Sequence, residues 1–414
     1  MSGCERESID SASLLPTPTP PAAPPSPLGA SPGRTLDPGP TVTAPAQPAR
    51  ALPPASFYDV AEGQLNGMPG SLIDSLELTA PSGVRVWAVL YRSTGMDGSL
   101  VPVSGLILAP ADTAGPGTGA SGRPVLAWGH GTTGLADACA PSREGAGGVG
   151  FEPLVALARQ GYVVAATDYE GLGTAGIHPY LVGVSEGRSI LDAIRAAQSL
   201  PEAGAGSSAA IVGISQGGHA ALWAAEILDA YAPELDVVGA VAASPPIDLR
   251  RVQRAVLGRG DVGEAAWMES LMVAAAWREV YDSPLDDLLT NEATRIVRAL
   301  ADECPWSIPG PTRSPFRVDP GSIPEWQALL EANSPGAQPA GTPILVLAAT
   351  EDDLVPASTI QPGVDRLCAA GSSVELRWVE GPHAATLADP IAAAGALAWI
   401  LDRFRGQVST ADCG

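Results

Sequence analysis

The chain contains no lysine, since all 23 of its basic residues are arginines. Without an ε-amine there can be no Walker-type phosphate lysine, no Schiff base and no serine–lysine dyad. Charge is scarce at 16% of 414 residues, and what is present is acidic on balance, with a formal net charge of −22. A field of that sign repels a phosphate backbone, so no nucleic-acid partner is expected and the acidity is assigned to solubility. Long apolar runs are also missing, so the chain is not expected to cross a bilayer. Hydrophobic residues make up 45% of the chain, enough for one large globular domain with an insertion.

Large apolar side chains are nearly absent from residues 11–56, which are rich in proline, alanine, serine and threonine. Such a segment cannot contribute to a packed core, and residues 1–56 are expected to be a disordered leader or stalk, partly in polyproline conformation. It follows Met1-Ser2-Gly3-Cys4, an arrangement resembling the end of a bacterial lipoprotein signal without its hydrophobic part. One reading makes Cys4 an acylated membrane anchor on a stalk, and the other makes it a chance cysteine. The remaining cysteines, Cys139, Cys304, Cys368 and Cys413, are even in number and allow two disulfides in three connectivities. The lipoprotein-like start and the proline-rich stalk favour a secreted or envelope-anchored protein, with two disulfides, over a cytosolic one with four reduced cysteines.

From residue 84 onward, β-branched runs alternate with helical patterns. Strands are expected at 84–91, 101–108, 125–128, 162–167, 209–212, 237–242, 344–348 and 374–379, the first two as an antiparallel hairpin. Helices are expected at 153–160, 185–199, 217–231 and 390–405, the last packing through Ile391, Ala394, Leu397, Ile400 and Leu401. This alternation predicts an α/β fold with a mostly parallel, doubly wound sheet. Between 247 and 342 the rhythm breaks into helical patterns at 264–281 and 284–301 and then a proline-rich stretch. The expected organisation is a core of 57–248 and 341–414 carrying an inserted helical cap, 249–340, over the carboxyl ends of the strands, where open α/β sheets bind ligands. Trp267, Met268, Leu271, Met272 and Ala275 recur there at helical spacing and form either the core of the cap or the lining of an acyl pocket.

Gly213-Ile214-Ser215-Gln216-Gly217 lies where a strand ends and a helix begins, the context of a nucleophile elbow. A serine in a strained turn needs neighbours without Cβ atoms and a histidine oriented by a carboxylate. Of the four histidines, His130, His178 and His219 do not follow a late strand. His383 does, in Gly381-Pro382-His383, and fits the chain order Ser, acid, His. The acid is expected after the 344–348 strand, where Glu351, Asp352 and Asp353 are adjacent; Asp352 is chosen, with Asp353 next. An oxyanion needs backbone donors, expected from Gln216 and from Thr132 or Thr133 in the loop Gly131–Gly134.

These residues and their neighbours resemble the secretory lipase family, capped α/β-hydrolases similar to fungal lipase A. The resemblance is carried by the run from Trp128 to Asp137, Cys139-Ala140-Pro141-Ser142, Asp168-Tyr169-Glu170-Gly171-Leu172-Gly173, Ser215-Gln216-Gly217-Gly218 and Asp352-Asp353-Leu354-Val355-Pro356. It covers roughly residues 55–406 in one order. It implies hydrolysis of carboxylic esters and acylglycerols, a helical cap over the pocket, and disulfides Cys139–Cys304 and Cys368–Cys413. It also favours Asp352 through the spacing to Val355-Pro356. Ile214 and Ala349 depart from the family pattern and bear on pocket shape.

The expectation is therefore a monomeric serine ester hydrolase, a lipase or esterase, acting on a small-molecule or lipid ester through Ser215, His383 and Asp352. Such chemistry requires no metal or organic cofactor. An acyltransferase or peptidase would use the same three residues. A non-catalytic lipid-binding envelope lipoprotein, or a cell-surface interaction protein, would have no need of them.

Overall fold

The computed structural model describes residues 52–112, 122–148, 151–258, 263–283 and 288–413. Cys4, and the expected leader up to residue 51, lie outside the described residues. The described chain begins at Leu52 and enters a short 3-10 turn at Ala55–Tyr58, which buries Phe57 and Tyr58.

Among the described residues nine strands form one sheet: β1 (Leu72–Leu78), β2 (Val84–Thr94), β3 (Leu100–Pro110), β4 (Arg123–Gly129), β5 (Val163–Glu170), β6 (Ala205–Ile214), β7 (Asp236–Ala243), β8 (Ile344–Ala349) and β9 (Val374–Val379). Their order is β1-β2-β3-β5-β4-β6-β7-β8-β9. Pairing is antiparallel from β1 through β3 to β5 and parallel across the rest. β8 is buried at every position, as a central parallel strand covered on both faces should be. The sequence reading missed β1. It is an edge strand whose Leu-Ile-Asp-Ser-Leu-Glu-Leu run is only partly buried, so its apolar alternation is weak.

The helices are α1 (Glu152–Arg159), α2 (Gly183–Gln198), α3 (Gln216–Tyr231), α4 (Leu249–Leu257), α5 (Glu264–Tyr281), α6 (Asn291–Ala299), α7 (Pro324–Ala332), α8 (Ile360–Ala369), α9 (Ala385–Ala388) and α10 (Pro390–Phe404). Helices α2, α3 and α8 bury Ile190, Leu222 and Val364 with β-strand residues such as Val125, Ile211 and Val346. On the opposite face Leu154 and Val155 of α1 and Trp399 and Ile400 of α10 meet the other side of the strands. Each such large side chain removed from water contributes roughly 1.5–3 kcal/mol. The chain thus forms a doubly wound α/β-hydrolase sheet with a helical insertion between β7 and β8. None of the described helices is long and apolar enough to cross a membrane.

Two helix readings are corrected. The packed face of α10 is Ala396, Trp399, Ile400 and Arg403, while Ile391 is 84% exposed. Nearly every position of this helix is apolar, so periodicity could not select its inner face. Of the helix expected at 284–301, residues 284–287 lie outside the described residues and the described helix is Asn291–Ala299, where the Thr290 hydroxyl accepts from Ala293 N at 3.2 Å and caps it. Leu289, inside the expected helix, instead bridges to Phe316.

Both expected disulfides are present. Cys139–Cys304 has a Cα–Cα distance of 5.6 Å and Cys368–Cys413 one of 5.3 Å. The second straps the C-terminal tail along β9, where Asp412 N donates to Val374 O and Leu376 N donates to the Asp412 carboxylate, both at 2.8 Å.

Candidate active site

Register decides which loops meet. Gly129 at the end of β4 pairs with Gly213 near the end of β6, and β5 lies on the far side of β4. The chain order reverses here, which opens a crevice at the carboxyl ends of these strands. Ser215 stands at that point with φ 56° and ψ −118°, a left-handed backbone that costs a non-glycine residue of order 1–3 kcal/mol. Tight packing holds it there: a Cβ on Gly217 would sit 1.9 Å from Gly129 O, and one on Gly213 would sit 2.0 Å from Gly217 O. Ser215 N donates to Ala243 O at 2.8 Å. Helix α3 starts immediately after it, so the first-turn N–H groups of the helix lie beside the serine with the positive end of the dipole.

The loop after β4 passes the same place. A Cβ built on Gly131 would lie 3.7 Å from that of Ser215. Thr132 places its hydroxyl 2.8 Å from Tyr180 Oη, whereas the Thr133 hydroxyl is buried without a partner.

At the other end of the parallel region Ala349 pairs with Val379, so the loops after β8 and β9 leave the sheet side by side. They are tied together by Thr350 N to Val379 O and Glu351 N to Gly381 O, both 2.9 Å. Asp352 is buried while Glu351 and Asp353 are exposed. Its Oδ1 accepts from Leu354 N at 3.0 Å and Val355 N at 2.7 Å, which leaves Oδ2 for His383 Nδ1 at 2.7 Å. The Ser244 hydroxyl, at the end of β7, donates to His383 O at 2.7 Å and fixes that loop from below. His383 Nε2 is buried without a partner. Burial pushes the imidazolium down, but the hydrogen bond and charge of Asp352, with Glu269 and Asp353 behind them, more than reverse this and raise it above 6.5.

A cavity of about 90 Å³ lies between the core and the insertion. Ser215, Gln216, Tyr180, Leu354 and Val355 line it from the core, and Leu249, Val252, Val256, Ala266, Val273, Trp326 and Leu330 line it from the insertion. The face of α5 that reaches the cavity also carries Glu269, Ser270 and Ala274. Met268, Leu271 and Met272 instead pack with Trp277 and Ile296 inside the insertion, and Trp267 packs with Val256 and Ala266. The Trp/Met stripe is therefore core, and the adjacent face of the same helix meets the cavity. Glu269 is pushed up to about 7, first by burial and then by the charges of Asp352 and Asp353, against the opposing pull of His383.

The rings of His178 and His219 are hydrogen-bonded at both nitrogens, whereas His130 meets Gly131 O through Nδ1 at 2.6 Å and its Nε2 is buried without a partner. Glu186 Oε2 lies 2.7 Å from His219 Nδ1, and the other nitrogen of that ring is 2.7 Å from Asn333 O. Glu186 Oε1 accepts from Gln216 Nε2 and from Leu181 N, both at 2.9 Å. Gln216 Nε2 also donates to His178 Nε2 at 2.9 Å, and His178 Nδ1 faces Glu170 O at 2.9 Å. Burial lowers His178 to about 4, so it is neutral and can accept from the amide. His130 supplies the carbonyl that accepts from Tyr169 Oη at 3.0 Å. Sequence reasoning missed Glu186, Ser244, Glu269 and Asn333. Only the i, i+4 placement of Ser215 and His219 on one helix hinted that a buried polar cluster lay under the elbow.

The secretory lipase family profile matches residues 149–304 and 326–412. A Mycobacterium tuberculosis protein named as a probable inactive lipase is 28% identical over 86% of this chain and 82% of its own length. A secreted triacylglycerol lipase of Malassezia globosa is 26% identical over 85% and 79%. Among solved structures, Candida antarctica lipase A in its closed state superposes with a TM-score of 0.70 at 20% identity, covering 88% of this chain and 89% of that one. The rice cell wall degrading esterase of Xanthomonas oryzae gives 0.64 at 23%, covering 82% and 98%.

Proposed function

The chain belongs to the secretory lipase family, and on that premise we propose that it is a serine ester hydrolase acting on acylglycerols or similar lipid esters. The observation that carries this is the Asp352–His383 pair at 2.7 Å with the second ring nitrogen buried and unpartnered, beside a cavity that Ser215 lines. In this reading His383 Nε2 takes the Ser215 proton as Oγ attacks the ester carbonyl, and Asp352 stabilises the imidazolium. The Gln216 N–H and the backbone of Thr132 or Thr133 receive the oxyanion. His383 then protonates the leaving alcohol, and water hydrolyses the acyl-enzyme by the same route.

Residues 249–340 serve as a cap over the acyl chain, which supports lipid esters over small polar ones because the cavity wall is mostly apolar. The disulfides suit an oxidising, extracytoplasmic setting. A relative named as inactive makes direct labelling the useful test. Fluorophosphonate should modify Ser215, and Ser215→Ala should lower kcat on p-nitrophenyl esters by at least about 10⁴-fold while melting like the parent. Folded Ser215→Ala protein with full turnover would overturn the assignment, and an unlabelled, inactive parent would favour a lipid-binding role.

A further inference from the structure

Most polar groups around the cavity already have partners within the protein. Tyr180 meets Thr132, the Ser270 hydroxyl donates to Ala266 O at 2.8 Å, and the Gln216 side chain is held by His178 and Glu186. Two are different. Gln253 Oε1, an acceptor on α4, and Trp326 Nε1, a donor on α7, both belong to residues lining the cavity and are both buried without a hydrogen-bond partner. Trp326 is 2% exposed and fixed by stacking on Trp277 at 5.7 Å, so its N–H cannot turn out to water. The two helices are tied together by Arg250 Nε donating to Gln327 Oε1 at 2.9 Å, and Arg250 and Gln253 are neighbours at i, i+3 spacing.

A plain alkyl chain would bury an N–H and a C=O against carbon, which is costly. A carbonyl could accept from the indole but offers nothing to the amide oxygen. A hydroxyl satisfies both, because it donates once and accepts as well. We propose that this pocket selects acyl chains bearing a hydroxyl group, whose O–H donates to Gln253 Oε1 and whose oxygen accepts from Trp326 Nε1. The proposal rests on the ester-hydrolase reading above and names the substrate class within it.

The test is a pH-stat comparison of methyl octanoate with its 3-, 6- and 8-hydroxy derivatives, using the parent protein, Gln253→Met and Trp326→Phe. At least one hydroxy ester should exceed the unsubstituted ester in kcat/KM by roughly tenfold. In both variants that preference should collapse towards parity. The proposal is overturned if the unsubstituted ester leads every isomer, as it would were the two atoms satisfied by a held water, or if the preference survives both substitutions. Calorimetric titration of Ser215→Ala protein with the same esters separates the two failures. Absence of turnover with every ester would defeat the hydrolase reading alone. The pocket proposal would then stand on tighter binding of a hydroxy ester that Gln253→Met removes, and would fall if all the esters bound equally.

Discussion

Two carboxylate–imidazole pairs lie under this sheet's carboxyl edge with the same contact distance and opposite fates. Glu186–His219 and Asp352–His383 each close to 2.7 Å through Nδ1. In the first, the far nitrogen is met at 2.7 Å by Asn333 O and both side chains are essentially inaccessible. In the second, the far nitrogen has no partner, and the ring keeps some exposure. A histidine satisfied at both ends ties elements together, here α2 and α3 to the chain just after α7. A histidine satisfied at one end is oriented but free to exchange a proton. The pair itself is therefore no mark of catalysis, and neither is a free nitrogen, since His130 Nε2 is also buried without a partner; the proposed role of His383 rests on its having both.

The comparison breaks most sharply at the pair proposed to be reactive. Asp352→Asn should cut kcat on an ester substrate by about 10³–10⁴-fold with little change in melting temperature, because the neutral amide neither fixes the tautomer nor stabilises the imidazolium. The structural pair should answer in the opposite currency. His219→Ala leaves Glu186 Oε2 buried without a partner, while Oε1 keeps Gln216 and Leu181 N, and should cost about 1–3 kcal/mol in denaturant unfolding, while the folded fraction loses far less activity than Asp352→Asn. If His219→Ala abolished turnover without loss of stability, the division of roles would be wrong.

A smaller effect concerns pH. In the proposed mechanism His383 must be neutral to act as a base, and Asp352 raises it above 6.5, so kcat/KM is expected to rise with pH through that region. Glu269→Gln removes one of the negative charges holding it up, and the acid limb should move to lower pH. The stability sign is separate. Glu269 rises from its ordinary 4.5 to about 7 on folding, so between those values the native state binds the extra proton and stability falls as pH increases. Glu269→Gln should flatten that fall in urea titrations at successive pH values. The smallest change is expected from Asp353→Asn, whose exposed carboxylate makes no contact with the ring. A rate loss rivalling that of Asp352→Asn would reverse the choice between the two acids.

Much of this was legible beforehand because it depends on short-range grammar. Strand ends, the glycines around Ser215 and the chain order serine, acid, histidine are local signals, and they located the loops that register later brings side by side. The choice of Asp352 over its neighbours was not forced by the residues, since three consecutive carboxylates look alike in a sequence, and the family resemblance added only the spacing to Val355-Pro356. Long-range facts stayed hidden. Which face of an alanine-rich α10 turns inward, which face of α5 meets the cavity, and that Gln216 is held through its side chain by Glu186 are all set by partners distant in sequence. β1 escaped because an edge strand has little apolar contrast between its faces.

The tail strapped by Cys368–Cys413 has a consequence of another kind. β9 is the last strand of the sheet, and its outer edge would otherwise present bare peptide groups to any extended chain, including a second copy of itself. Asp412 occupies part of that edge at Val374 and Leu376, and the disulfide keeps it there. Reduction would thus do more than loosen a terminus: it would unguard a ready template for strand addition, and the first symptom in a reducing buffer would be precipitation.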